Sequence, residues 1–237
     1  MIDLIKRQNL RRLLSRSRRR LFEWVGSDRY SRPALNNLDR KLERYLPHRD
    51  GFFIEAGAND GYAQSNTYYF EKLKGWTGIL VEGIPELYER CRQERSRSHV
   101  FNCALVPPEF HGESVTMHYS GLMSLVKGAR KDKENDQKHV ERGIQLQQKV
   151  DRSYSVEVPA RTLTSIIDEV EPPHIDLLSL DVEGYELQVL QGLDLARYRP
   201  SYILVEANYR EEIEEHLAGR YEVTDQFSER DVLFEVE

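Results

Sequence analysis

Ile54-Glu55-Ala56-Gly57-Ala58-Asn59-Asp60-Gly61 decides the fold. The run from Phe52 to Ala56 has the apolar, β-prone texture of a strand, and it passes into a tight Gly-x-x-x-Gly turn, after which Ser65 is placed to cap a helix. Such a turn lets a ligand approach the backbone at the carboxyl end of a parallel strand, where open α/β sheets bind their ligands. Working outward, Gly78 to Glu82 reads as a second strand, His99 to Ala104 as a third, and Ile175 to Asp181 and Tyr202 to Glu206 as two more. Leu163, Ile166, Ile167 and Val170 mark a helix ended by Pro172-Pro173, and the tail, Tyr221 to Phe227 then Asp231 to Val236, reads as an antiparallel hairpin at the sheet edge. Strands alternating with helices predict a doubly wound, mostly parallel α/β sheet.

The spacing of a glycine and an acid indicates a nucleotide-like ligand. Glu82 ends the second strand 25 residues after Gly57, where nucleotide-binding α/β folds place an acid against the ribose hydroxyls. The dinucleotide fingerprint, however, needs a middle glycine to cradle a pyrophosphate, and Asn59 stands there. Glu55 and Asp60 would also repel phosphates. A cationic ligand is the better electrostatic match, and S-adenosylmethionine, with a sulfonium, an amine and no phosphate, is favoured over NAD.

The chain resembles the FkbM-type S-adenosylmethionine-dependent methyltransferases over roughly residues 50–208. The resemblance rests on Glu55 to Gly61, Gln64-Ser-Asn-Thr67, Gly78 to Glu82, Asn102-Cys-Ala-Leu105, Arg161-Thr-Leu163, and Leu180-Asp-Val-Glu-Gly-Tyr-Glu186 followed by Val189-Leu-Gln-Gly192. It implies the class I, Rossmann-like methyltransferase sheet of seven strands and O-methylation of a sugar, glycoconjugate or related natural product. It also implies that Glu55, Gly57, Asn59 and Gly61 hold the methionine part of the cofactor, Glu82 the ribose, and Cys103 and Ala104 the adenine, with Asn66 and Asp181 completing the pocket. Two positions depart from the family pattern: Gly83 replaces the usual proline after Glu82, and Leu180 replaces a frequent lysine before Asp181. A catalytically silent binding or scaffold protein of the same fold and an NAD-linked sugar oxidoreductase are the competing readings.

Methyl transfer to a hydroxyl is an in-line displacement in which the hydroxyl must also lose its proton. Asp181 and Glu206 end strands expected to be adjacent and to face one cleft. With Asn208 they could bind one Mg²⁺, which would lower the hydroxyl pKa. His111 and His118, flanking a strand expected over Ser114 to Tyr119, are the competing bases.

Composition bounds the rest. The chain has 237 residues, a net charge of −6 and two cysteines, Cys91 and Cys103, so it can form a packed core but no disulfide framework. Residues 1–20 carry eight Lys and Arg side chains against one acid, Asp3, which leaves 26 basic and 39 acidic side chains for the remainder. That balance argues against a nucleic-acid partner for the main domain. No apolar run approaches the length of a membrane span, and the first 30 residues lack the apolar segment of a secretion signal. A cytoplasmic protein is expected.

Leu10, Leu14, Leu21 and Val25, with Leu13 and Trp24 beside them, recur at helical spacing among arginines. The plainest reading packs this helix on its own domain or a second subunit with its arginines in solvent. Peripheral contact with an anionic membrane through residues 1–28 is the alternative. A second helix is expected after Ser31-Arg32-Pro33, with Leu35, Leu38, Leu42 and Leu46 on one face and Pro47 at its end. The chain thus divides into a helical appendage, residues 1–47, and a methyltransferase domain, residues 48–237, with the charged segment 127–152 as an insertion or lid.

Overall fold

The structure, a computed structural model, describes residues 14–119, 125–126 and 154–237. The charged segment 127–152, expected to be an insertion or lid, lies outside the described residues, as do Leu10 and Leu13.

After helix α1, residues 14–24, a short 3₁₀ turn and α2 (Leu38–Leu42) lead into β1 (Phe52–Ala56), α3 (Tyr68–Lys74), β2 (Thr77–Val81), α4 (Pro85–Glu94) and β3 (His99–Phe101). Four strands make a second, smaller sheet: β4 (Ala104–Leu105), β5 (Ser114–Tyr119), β6 (Leu125–Val126) and β7 (Tyr154–Arg161). The chain then returns through α5 (Leu163–Val170), β8 (Leu177–Leu180), α6 (Glu186–Gln191), β9 (Tyr202–Glu206), α7 (Arg210–Leu217), β10 (Tyr221–Gln226) and β11 (Asp231–Val236).

The main sheet has seven strands in the order β10-β11-β9-β8-β1-β2-β3, all running in one direction except β11, which pairs antiparallel with both β9 and β10. This is the expected class I methyltransferase sheet. Its strands are apolar on both faces because helices cover both. Ile54, Ala56, Ile79 and Val81 pack against α5, α6 and α7, while the alternating Phe53 and Leu80 pack with Phe70, Trp76 and Cys91.

Three expectations change. The third strand does not run from His99 to Ala104: the ladder stops at Phe101, because the Asn102 amide turns to the carbonyls of Glu82 and Gly83 (2.8 Å each) and Ala104 joins β7 instead. The second helix does not extend from Leu35 to Leu46. Asn36 and Asn37 adopt left-handed conformations, which asparagine tolerates, so α2 has five residues and Leu35 is exposed. Leu38, Leu42 and Leu46 are nonetheless buried against Phe53, Tyr69 and Trp76, so this segment packs as part of the core.

The third change is the orientation of α1. Leu14, Leu21, Trp24 and Val25 are 62%, 60%, 83% and 62% exposed, whereas Arg19 is 6% exposed. Arg19 donates to Glu94 at 2.6 Å and lies 3.6 Å from the centre of the Tyr62 ring. A guanidinium supplied with a carboxylate and an aromatic face outcompetes the leucines for the interior side. Among the described residues, no helix is long and apolar enough to cross a membrane.

Candidate active site

Strand register assembles the site. Ala56 pairs with both Val81 and Leu180, and Leu180 with Val205. The residues that follow, Glu82, Gly57, Asp181 and Glu206, therefore form one row across the carboxyl ends of β2, β1, β8 and β9. The chain order reverses between β1 and β8, the switch point where open α/β sheets leave a crevice.

Gly57 makes the row possible. Its φ is +84°, and a β-carbon there would lie 1.9 Å from the Asp181 carbonyl oxygen, so only glycine allows the β1 and β8 turns to approach this closely. Gly61, expected at the cofactor, does not line the cavity. A β-carbon on it would meet Arg95 Cγ at 2.8 Å, so it serves packing behind the loop.

Glu55 is buried and organises the loop that follows. Its carboxylate accepts from Ser65 Oγ (2.8 Å), the Asn66 amide (2.8 Å) and Thr67 Oγ1 (2.6 Å). Ser65 Oγ in turn accepts from the Tyr68 amide (3.1 Å), so Ser65 does satisfy a donor at the start of α3, from two residues ahead of the helix cap. Behind them stands Arg95, fully buried, which donates to Glu71 (2.8 Å), Ser65 Oγ (3.0 Å), Thr67 Oγ1 (2.8 Å) and the Gly61 carbonyl (3.2 Å). Burial pushes the Glu71 carboxyl up, but Arg95 and Lys72 outweigh it and hold the group below the usual glutamate range.

A first cavity runs along the row. Glu55, Gly57, Asn59, Asn66, Glu82, Cys103, Ala104 and Asp181 all line it. Four carboxylates, those of Glu55, Glu82, Asp181 and Glu183, contribute to its wall, and no Lys, Arg or His does among the described residues. That charge balance disfavours a pyrophosphate and suits a cationic ligand. Glu82 accepts from the backbone amides of Asn59 (2.8 Å) and Ile84 (2.7 Å), and burial pushes its carboxyl up to about 7. Burial raises the Cys103 thiol to about 12, which makes it an inert wall. The Asn66 amide donates to Ser179 Oγ (3.0 Å), while its Oδ1 is buried without a partner among the described residues. An unpaired acceptor on a residue of the cavity wall fits an amine or hydroxyl donor on a ligand. S-adenosylmethionine therefore fits the residues present.

Sequence reasoning missed Met117. Its Sδ lies 2.1 Å from where a β-carbon at position 83 would be, so β5 fills the space of the proline usual in the family. The second sheet thereby closes the cavity beside Glu82.

A second cavity adjoins the first, with Gln64, Asn66 and Asp181 in the walls of both. Glu206, Ser228, Arg230 and Asp231 add to its wall, as do Asn36 and Leu38 from the N-terminal segment. Asp181 and Glu206 are hydrogen-bonded to each other. Burial, then the neighbouring Glu206 charge, raises the Asp181 carboxyl well above its ordinary range, and burial also raises Glu206. Asp181 nonetheless keeps accessible surface, and it lines both cavities. Glu186, also buried, fastens the loop after Asp181 by accepting from the amides of Val182 (3.2 Å) and Gly184 (2.9 Å).

The set of three ligands expected for Mg²⁺ is not assembled. Asn208 lines neither cavity, and its Nδ2 turns back to the Glu206 carbonyl (3.5 Å). Among the described residues no three His, Cys, Asp or Glu side chains converge on a metal position. His111 is exposed on the loop before β5 and lines neither cavity. His118 lies on β5, paired with Leu125 and Ser155, and its side chain is outside the described residues.

The sheet order and the acid-lined crevice at its switch point define a methyltransferase domain. A family model described as the methyltransferase FkbM domain matches residues 55–234, and the chain belongs to that family. Comparison with curated proteins finds no match. Among solved structures, the chain is similar to a TehB-like SAM-dependent methyltransferase from Corynebacterium glutamicum (12% identity, 94% of this chain and 96% of that one, TM-score 0.43). It is also similar to Aeropyrum pernix fibrillarin bound to S-adenosyl-L-methionine (13% identity, 85% and 76%, TM-score 0.42) and to a human methyltransferase 10 domain containing protein (12%, 83% and 79%, TM-score 0.43).

Proposed function

We propose that this methyltransferase uses S-adenosylmethionine to O-methylate a hydroxyl of a sugar or glycoconjugate. The observation that carries the reading is the position of Asp181, in the wall of both cavities, where a donor in one would meet an acceptor in the other. When bound, S-adenosylmethionine supplies an electrophilic methyl group on its sulfonium. Glu82 is assigned to the ribose hydroxyls and Asn66 Oδ1 to the amine. Gln64 and Arg230 present amide and guanidinium groups suited to hydroxyls, while Glu206 and Asp231 disfavour a phosphorylated or carboxylated acceptor. The Asp181–Glu206 pair takes up the hydroxyl proton as the new C–O bond forms and the bond between methyl and sulfur breaks.

The test is transfer of labelled methyl from S-adenosylmethionine to a panel of neutral, amino and phosphorylated sugars, with and without EDTA. Turnover on neutral or amino sugars that survives EDTA is expected. Transfer only to nitrogen or carbon, or abolition by EDTA, would overturn the reading.

Glu82→Ala should weaken binding of S-adenosylhomocysteine by about a hundredfold, or ~2–4 kcal/mol, because ribose hydrogen bonds to a charged acceptor are lost. In the parent chain affinity should rise as pH passes upward through about 7, where Glu82 ionises. Calorimetric titration across pH checks both effects, and the variant should lose the pH dependence. Equal affinity in a folded variant would remove Glu82 from the ribose site.

A further inference from the structure

We propose that the outward face of α1 docks the protein on an anionic lipid bilayer. The helix is held to the body by its charged side. Arg16 donates to the Gln93 carbonyl (2.8 Å), Arg19 to Glu94 (2.6 Å), and Glu23 accepts from Ser31 Oγ (2.7 Å) and the Tyr68 hydroxyl (2.9 Å). These contacts turn Leu14, Leu21, Trp24 and Val25 to solvent together. Their spacing puts them on one helical stripe, with the exposed Arg18 and Arg20 on its flanks.

A stripe of Trp, Leu and Val edged by arginine matches the interfacial layer of a membrane. The indole sits at headgroup depth, the aliphatic side chains enter the acyl boundary, and the guanidiniums meet lipid phosphates. Glu23, the only acid in residues 14–26, is turned inward, so no acid of this described stretch of the helix opposes an anionic surface.

Charge also chooses between occupants. Residues 1–20 are strongly basic on an otherwise acidic chain, so a two-fold pairing of α1 with α1 would oppose like charges, whereas an anionic bilayer would attract them. The acidic remainder would be held away from the same surface, which orients the molecule with α1 down.

The full chain should co-sediment with vesicles of phosphatidylcholine mixed with phosphatidylglycerol, should leave pure phosphatidylcholine vesicles largely unbound, and should dissociate as salt rises. Of the two tryptophans, Trp76 is fully buried, so a blue shift of emission on binding reports Trp24. Leu21→Gln combined with Trp24→Gln, both at solvent-exposed positions, should lower the vesicle partition coefficient at least about tenfold while circular dichroism and S-adenosylhomocysteine affinity stay unchanged. Arg18→Gln combined with Arg20→Gln should weaken binding to the anionic vesicles alone. Equal binding to neutral and anionic vesicles, no blue shift, or wild-type binding by the Leu21/Trp24 variant would each overturn the proposal. So would a dimer in sedimentation equilibrium that the same variant abolishes and that shows no vesicle binding, since that result gives the face to a second copy.

Discussion

Replacing Arg95 with methionine should destabilise the domain by about 3–5 kcal/mol, because the buried carboxylates of Glu55 and Glu71 lose the charge set between them. Methionine keeps most of the stem volume, so the change reads electrostatics and hydrogen bonding more than a cavity. For a chain of this size the melting temperature should fall by about 2–4 °C per kcal/mol. Lys72, 2.9 Å from Glu71, and the Ser98 hydroxyl, 2.6 Å from it, remain as partial compensation. The pH dependence has a definite sign. Arg95 and Lys72 hold Glu71 below its ordinary range, so its contribution is fully present above the unfolded glutamate value and is lost as pH falls through the lowered one. The deficit of the variant should therefore be largest at neutral pH and shrink on acidification. Cofactor affinity should drop as well, since Ser65, Thr67 and Gly61 lose their shared donor and the loop bearing Gln64 and Asn66 loosens. Urea unfolding at several pH values measures the effect, and a deficit below about 1 kcal/mol, or one that grows in acid, would show the cluster to be unimportant for stability.

Asp181→Asn should lower kcat by about 100- to 10,000-fold, or ~3–5 kcal/mol in the barrier, while S-adenosylhomocysteine still binds. Asparagine keeps the shape of the residue between the cavities but cannot take up a proton. A positional effect alone would appear in cofactor affinity or in KM for the acceptor, whereas loss of the base appears in kcat and in the pH profile. In the parent chain kcat should climb with pH through an apparent value above the ordinary carboxylate range, because burial and the neighbouring charge raise both members of the pair. The variant should lose that limb. Full kcat in Asp181→Asn would move the base elsewhere, and His118 on β5 would be the next residue to replace.

The central strands of the main sheet were largely legible because they are short apolar runs, and β1 and β9 have the bounds expected of them. Local pattern was misleading where a side chain found a partner far along the chain. Asn102 looked like part of a strand until its amide met Glu82 and Gly83, and the leucines of α1 looked like the buried stripe until Arg19 met Glu94, 75 residues away. Arg95 carried no signal, since it lies in a run with Arg92, Glu94 and Arg97 that reads as a solvated surface.

What the amino-acid order by itself determined is the class of the fold, the acidic and phosphate-averse character of the cofactor crevice, and the identity of the acids at the strand ends. Hydrophobic periodicity and residue charge are local properties, and both survive in a linear reading. Only the tertiary structure decided which of those acids meet. The parallel register of β9, β8, β1 and β2 sets Glu206, Asp181, Gly57 and Glu82 in one row, places Asp181 against Glu206 and leaves Asn208 and His111 outside. Register depends on contacts between segments as distant in the chain as Phe53 and Leu177, and the upward shift of both Asp181 and Glu206 exists only once the paired strands have brought acidic side chains together.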